Sequence, residues 1–126
     1  MIIIGHPWIQ SPRFFKVFSI KGIEKSLPGD IVLFEPLVDS HSYAIHCQSN
    51  NIPFAIVVNT LEDALFANAL GAKYIICEED DALMIQPIAT EYMFDTRILV
   101  LIHSEKEISK VARGGVDGVI FAEAIC

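Results

Sequence analysis

Apolar residues along this chain fall into short continuous runs separated by stretches of helical spacing. The runs are Met1–Gly5, Phe14–Phe18, Asp30–Glu35, Pro53–Val58, Tyr74–Cys77, Ile98–Ile102 and Val119–Phe121. Each is only a few residues long, and runs such as Asp30–Glu35 (DIVLFE) show no polar alternation. That is the signature of a strand covered on both faces. Helix signals lie between them. Ser19 can cap a short helix over Ile20–Leu27 that Pro28-Gly29 ends. Asp39 or Ser40 opens a second helix, closed at Asn50-Asn51. Thr60-x-x-Asp63 is close to a capping box, and the helix after it carries an apolar stripe of Leu61, Ala64, Leu65, Ala69 and Phe66. Glu79–Asp81 place three acids where a helix N-terminus favours them, and Pro87 predicts a kink or break before Tyr92. Ser104-x-x-Glu107 is a full capping box, and Gly114-Gly115 ends its helix.

The pattern repeats. The unit over 53–78 returns without gaps 44 positions later, over 97–122. Asn59 matches His103, Thr60 matches Ser104, Asp63 matches Glu107 and Gly71 matches Gly115. A third copy lies upstream, where RFFKVFS, a shorter helix and GDIVLFE parallel PFAIVVNT, the longer helix and AKYIICE. Strand–helix–strand units repeated in this way predict parallel strands joined by right-handed crossovers. The expected class is therefore α/β, with residues 1–126 forming one domain. Two architectures compete. A flavodoxin-like open three-layer sheet is the commoner outcome at this size. The alternative is part of a TIM-type barrel, since a full (βα)₈ barrel needs roughly 200–250 residues.

Composition narrows the function. Apolar residues make up 52% of the chain and mean hydropathy is +0.45. No apolar run reaches the roughly 20 residues of a membrane helix, so the surplus is expected in a core or an interface between copies. A net charge of −7 disfavours nucleic acid and anionic membrane alike. The segment Met1–Gly5 is too short, and lacks the basic flank, for a signal peptide. Cys47, Cys77 and Cys126 are odd in number and far apart, which fits reduced thiols and a cytoplasmic protein better than a disulfide framework or a zinc site.

Parallel sheets carry their sites at the carboxyl ends of their strands. Reading off those ends gives His6, Glu35, Asn59, Glu78 and His103 as candidate site residues. Two histidines with a carboxylate (His6, His103 and Glu35) could hold a metal, and a histidine–carboxylate pair could serve as acid and base. Polar strand exits also arise simply because they meet solvent and helix caps. Lys16 interrupts an apolar strand: it is either a nucleophile or a lysine guarding a sheet edge. Trp8, in a loop bracketed by Pro7 and Pro12, is an aromatic anchor or a plug over one end of the core. No nucleophile elbow, dinucleotide fingerprint or phosphate loop is present, and the residues leave any cofactor unidentified.

NTLEDALFANALGAKYIIC and HSEKEISKVARGGVDGVIFAEAI resemble the βα units of small phosphate-binding TIM barrels, especially the ketohydroxyglutarate/KDPG aldolase group. The likeness spans residues 53–125. It implies the fold but not the aldol chemistry, because the slot of the Schiff-base lysine is taken by Ile120. A fainter resemblance is to response-regulator receiver domains. It departs where their acidic residues and lysine would stand, at His6-Pro7, Glu35 and Cys77. The expectation is a non-catalytic interaction or regulatory module that self-associates as a homo-oligomer. The alternative is a protein that binds a small phosphorylated or keto-acid metabolite, or a lyase- or isomerase-like enzyme, using the strand-exit rim.

Overall fold

A computed structural model of the chain describes residues 1–35 and 37–126, with side chains for all of these except residues 37–39. Its strands are β1 (Ile2–Ile4), β2 (Phe14–Lys16), β3 (Ile31–Phe34), β4 (Phe54–Val57), β5 (Tyr74–Cys77), β6 (Arg97–Ile102) and β7 (Gly118–Phe121). Helices α1 (Ile20–Glu24), α2 (Leu37–Ser49), α3 (Leu61–Ala69), α4 (Glu79–Glu91) and α5 (Lys106–Arg113) fill the connections from β2 onward. All seven strands are parallel in one sheet of order β1-β7-β6-β5-β4-β3-β2. The repeated strand–helix units therefore give the expected α/β parallel architecture.

From β2 to β7 each strand lies beside the next in sequence, so every crossover steps the same way. A doubly wound sheet reverses direction at a switch point, and this order has no reversal among the described strands. The sheet curls into a half-barrel instead. Of the two architectures expected, the partial barrel is the one adopted. The physical reason lies in the two faces of the sheet. Helices pack on the outer face, over Val32, Phe34, Ile56, Ile75, Ile98 and Val119. The inner face carries Ile4, Phe14, Leu33, Ala55, Ile76, Leu99 and Ile120, all buried, and this cluster contains no residue of helices α1–α5. An apolar face without helices is removed from water only if the strands close around it.

The two edges of the sheet come close at the C-terminal segment. After β7 a 3-10 turn over Ala122–Ala124 leads to Ile125, which bridges in parallel to Phe14. Cys126 N–H donates to the Phe14 carbonyl at 2.9 Å, and Lys16 N–H donates to the Cys126 carbonyl at 3.1 Å. On the far side, a Cβ added at Gly5 would stand 3.0 Å from the Cβ of Ala124. Residues 124–126 thus occupy the gap between β1 and β2, so β2 is not the open edge that Lys16 was expected to guard.

Local expectations fare unevenly. Thr60 and Ser19 cap their helices as predicted, accepting from Asp63 N and Gly22 N at 3.1 Å each. The Ser104–Glu107 box closes on one side only: Glu107 accepts from Ser104 N and His103 N, but the Ser104 hydroxyl accepts from Lys106 N. Helix α2 begins at Leu37, ahead of the expected opening at Asp39 or Ser40; the Asp39 side chain lies outside the described residues. Helix α4 runs unbroken through Pro87. In α3 the buried residues are Ala64 and Ala67, whereas Leu65, Phe66 and Ala69 are exposed. Small residues let the helix lie close to the sheet, which turns the larger ones outward.

Candidate functional site

Parallel pleating sets the inner face at the C-terminal rim. Phe14 and Lys16 share the inner side of β2; Leu33 and then Glu35 share that of β3; Ala55, Val57 and Asn59 follow on β4. Tyr74, Ile76 and Glu78 do the same on β5. The outcome is a cavity of about 300 Å³ at the mouth of the half-barrel. Its floor is aliphatic, formed by Leu33, Val57, Ile76, Leu101 and Ile125, and its rim carries Lys16, Glu35, Asn59, Glu78 and Asp81.

Three of the five strand-exit candidates, Glu35, Asn59 and Glu78, therefore converge in one cavity. Lys16 joins them through its Nζ, 3.2 Å from Glu35 Oε1. Their side chains are 36% and 41% exposed, so the pair is worth no more than about 1 kcal/mol and opens at little cost. Asp81 is the member that sequence reasoning missed. Its place in the sequence points only to the N-terminus of α4, and the curl of the sheet turns that helix end over the mouth. The signal available for Lys16 was its spacing of two from Phe14, which places both on the inner face.

Glu78 sits at the N-cap position of α4 but makes no capping hydrogen bond with its side chain. The Cys77 thiol beside it is buried. Burial first, and then the charges of Asp81 and Glu78, push it up to about 12, so it is no nucleophile at neutral pH.

The two histidines go elsewhere. His6 Nε2 donates to Glu105 Oε1 at 2.5 Å, and its Nδ1 accepts from Trp8 N–H at 3.1 Å. Its ring packs against Trp8 at 5.0 Å and Phe121 at 5.7 Å. Both ring nitrogens are thus engaged, and His6 lines a separate groove with Trp8, Ile9, Glu105 and Ile108. Trp8 caps no core end; it is 89% exposed. The His103 side chain is exposed, does not line the mouth, and its backbone N–H is held by Glu107. The expected trio of His6, Glu35 and His103 does not assemble. Among the described residues no group of three or more His, Cys, Asp or Glu is placed to hold a metal ion.

Another cavity, of about 380 Å³, lies at the opposite end of the sheet, where Arg97 begins β6 and Asp117 precedes β7. Several of its polar groups serve the fold: Gln86 accepts from Asp117 N–H at 3.0 Å and donates to Thr90 at 3.2 Å, and Asp117 accepts from Ile98 N–H at 2.9 Å. Among the described residues no buried side-chain polar atom lacks a partner. Among the described residues no helix is long and apolar enough to cross a membrane. The chain matches no protein-family model and no curated protein sequence.

Proposed function

We propose that the protein binds a small organic metabolite at the mouth of its half-barrel. The observation that carries this reading is the convergence of Lys16, Glu35, Asn59, Glu78 and Asp81 over an aliphatic floor in one cavity. An apolar pocket with a few polar groups at its rim is the usual form of a small-molecule site. The residues present are an ion pair, an amide and two carboxylates, with no histidine among them, which favours binding over proton-transfer catalysis. The surplus of carboxylates speaks against a phosphorylated ligand. Three unpaired cysteines fit a reducing compartment such as the cytoplasm.

Asn59 is exposed on the rim, so Asn59→Trp fills the mouth without disturbing the core. A fragment screen followed by NMR should give shifts clustered on Leu33, Val57 and Ile76 that vanish in Asn59→Trp. Shifts that cluster elsewhere, or that survive the substitution, would remove the reading.

Self-association is a second reading, favoured by the apolar side chains that α3 and α4 turn outward. Phe66 is 62% exposed, with Leu65, Leu83 and Met84 also exposed. A homo-oligomer would cover them. Light scattering that gives a monomer mass at tens of micromolar would rule it out.

A further inference from the structure

Resting on the mouth as a binding site, we infer that its ligand is a zwitterionic amino acid with an apolar side chain. The charges come first. Glu35, Glu78 and Asp81 line the mouth with the single ammonium of Lys16, which pairs with Glu35, and this leaves a surplus of carboxylate. A purely anionic ligand would add to that surplus, so the ligand brings a positive group. A bare metal ion does not meet the need, because the clustered ligands it requires are absent among the described residues. An ammonium does, since single carboxylates satisfy it one hydrogen bond at a time.

Placement adds the second charge. Lys16 stands on β2 and Glu78 follows β5, with β3 and β4 between them in the sheet. The Lys16–Glu35 pair thus stands on one side of the mouth and Glu78 with Asp81 on the other, and the Asn59 amide on the β4 side lies between. An ammonium has three N–H donors, and Glu35 takes one of those of Lys16 at 3.2 Å. The others suit a ligand carboxylate. Glu78, whose side chain makes no capping bond, and Asp81 suit its amine.

Size and polarity complete the assignment. The floor is apolar, aliphatic side chains with the buried Cys77, and about 300 Å³ is at the small end for ligand sites, which span roughly 300–1,000 Å³. That room suits one amino acid, with its side chain on the floor and its two charged groups at the rim.

The test titrates the full chain with L-leucine, isopentylamine, 4-methylpentanoate and glycine, by calorimetry and by NMR shift mapping. Leucine should bind at the mouth, and each of the other three about tenfold or more weakly, the loss expected for one missing charged contact or the apolar body. Lys16→Met should weaken leucine but not isopentylamine. Glu78→Gln combined with Asp81→Asn should weaken leucine but not 4-methylpentanoate. If either half-molecule binds as tightly as leucine, or leucine does not bind while other fragments shift the mouth, the zwitterion assignment falls and the mouth remains a site. If nothing binds at the mouth, both fall.

Discussion

The rings of Phe14 and Tyr74 meet with centroids 5.6 Å apart, although their strands β2 and β5 are separated by β3 and β4. Three strand steps in a flat sheet span about 14 Å, and side chains on one face stay parallel. The contact therefore measures the curl: β2 and β5 tilt toward each other until their inner side chains touch. Phe14 is wholly buried with no helix over it.

Phe14→Ala should consequently cost about 3–5 kcal/mol, as for a large aromatic removed from a packed core. Urea denaturation followed by circular dichroism measures it. A loss below about 1 kcal/mol would mean that the inner face is not closed in solution.

At the other seam, Gly118 pairs with Ile2, and a Cβ there would stand 2.4 Å from the Ile2 carbonyl oxygen. The obstacle is backbone, which cannot rotate aside. Gly118→Ala should cost at least the roughly 1–3 kcal/mol typical of overpacking, and should loosen β1 selectively. Hydrogen exchange checks this: Ile4 and its neighbours should lose protection while β4 and β5 keep theirs.

Arg13 holds Asp30 through two bonds, Nε to Oδ1 at 3.1 Å and Nη2 to Oδ2 at 2.5 Å, and Leu27 N–H adds a third at 2.8 Å. Chiefly through the Arg13 bonds, the Asp30 carboxyl is held below its ordinary value. A lowered carboxylate stabilises the fold above its unfolded value of about 3.9 and stops doing so as pH falls through the folded value. The melting-temperature gap between the native chain and Asp30→Asn should thus be constant above about pH 5 and shrink below pH 4. A gap independent of pH would show that the pairing does not contribute.

The three thiols should separate by reactivity. Burial pushes Cys77 up to about 12 and Cys47 up to about 11, whereas Cys126 is exposed. At pH 8 only about one Cys77 in ten thousand is thiolate. Iodoacetamide should label Cys126 alone in the folded chain, and all three in denaturant. Rapid native labelling of Cys77, read by peptide mass, would contradict a closed floor at the mouth.

The sequence by itself determined the elements and the direction of the chain. Runs such as Asp30–Glu35 and the Thr60 cap are local, and the 53–78 and 97–122 repeat forces parallel strands because each crossover must return to the same end. From that alone Glu35, Asn59 and Glu78 could be named together, since parallel strands deliver their exits to one rim. What only the tertiary structure decided was whether the sheet reverses or closes. That depends on contacts between residues far apart, such as Phe14 with Tyr74 and Ile125 with Phe14, which no local pattern encodes. Closure turned Lys16 from an edge residue into part of the mouth and brought in Asp81. Without a helix after β1, the loop carrying His6 instead folds onto Glu105 at the start of α5, where Nε2 finds its partner while Nδ1 accepts from Trp8 N–H of the same loop.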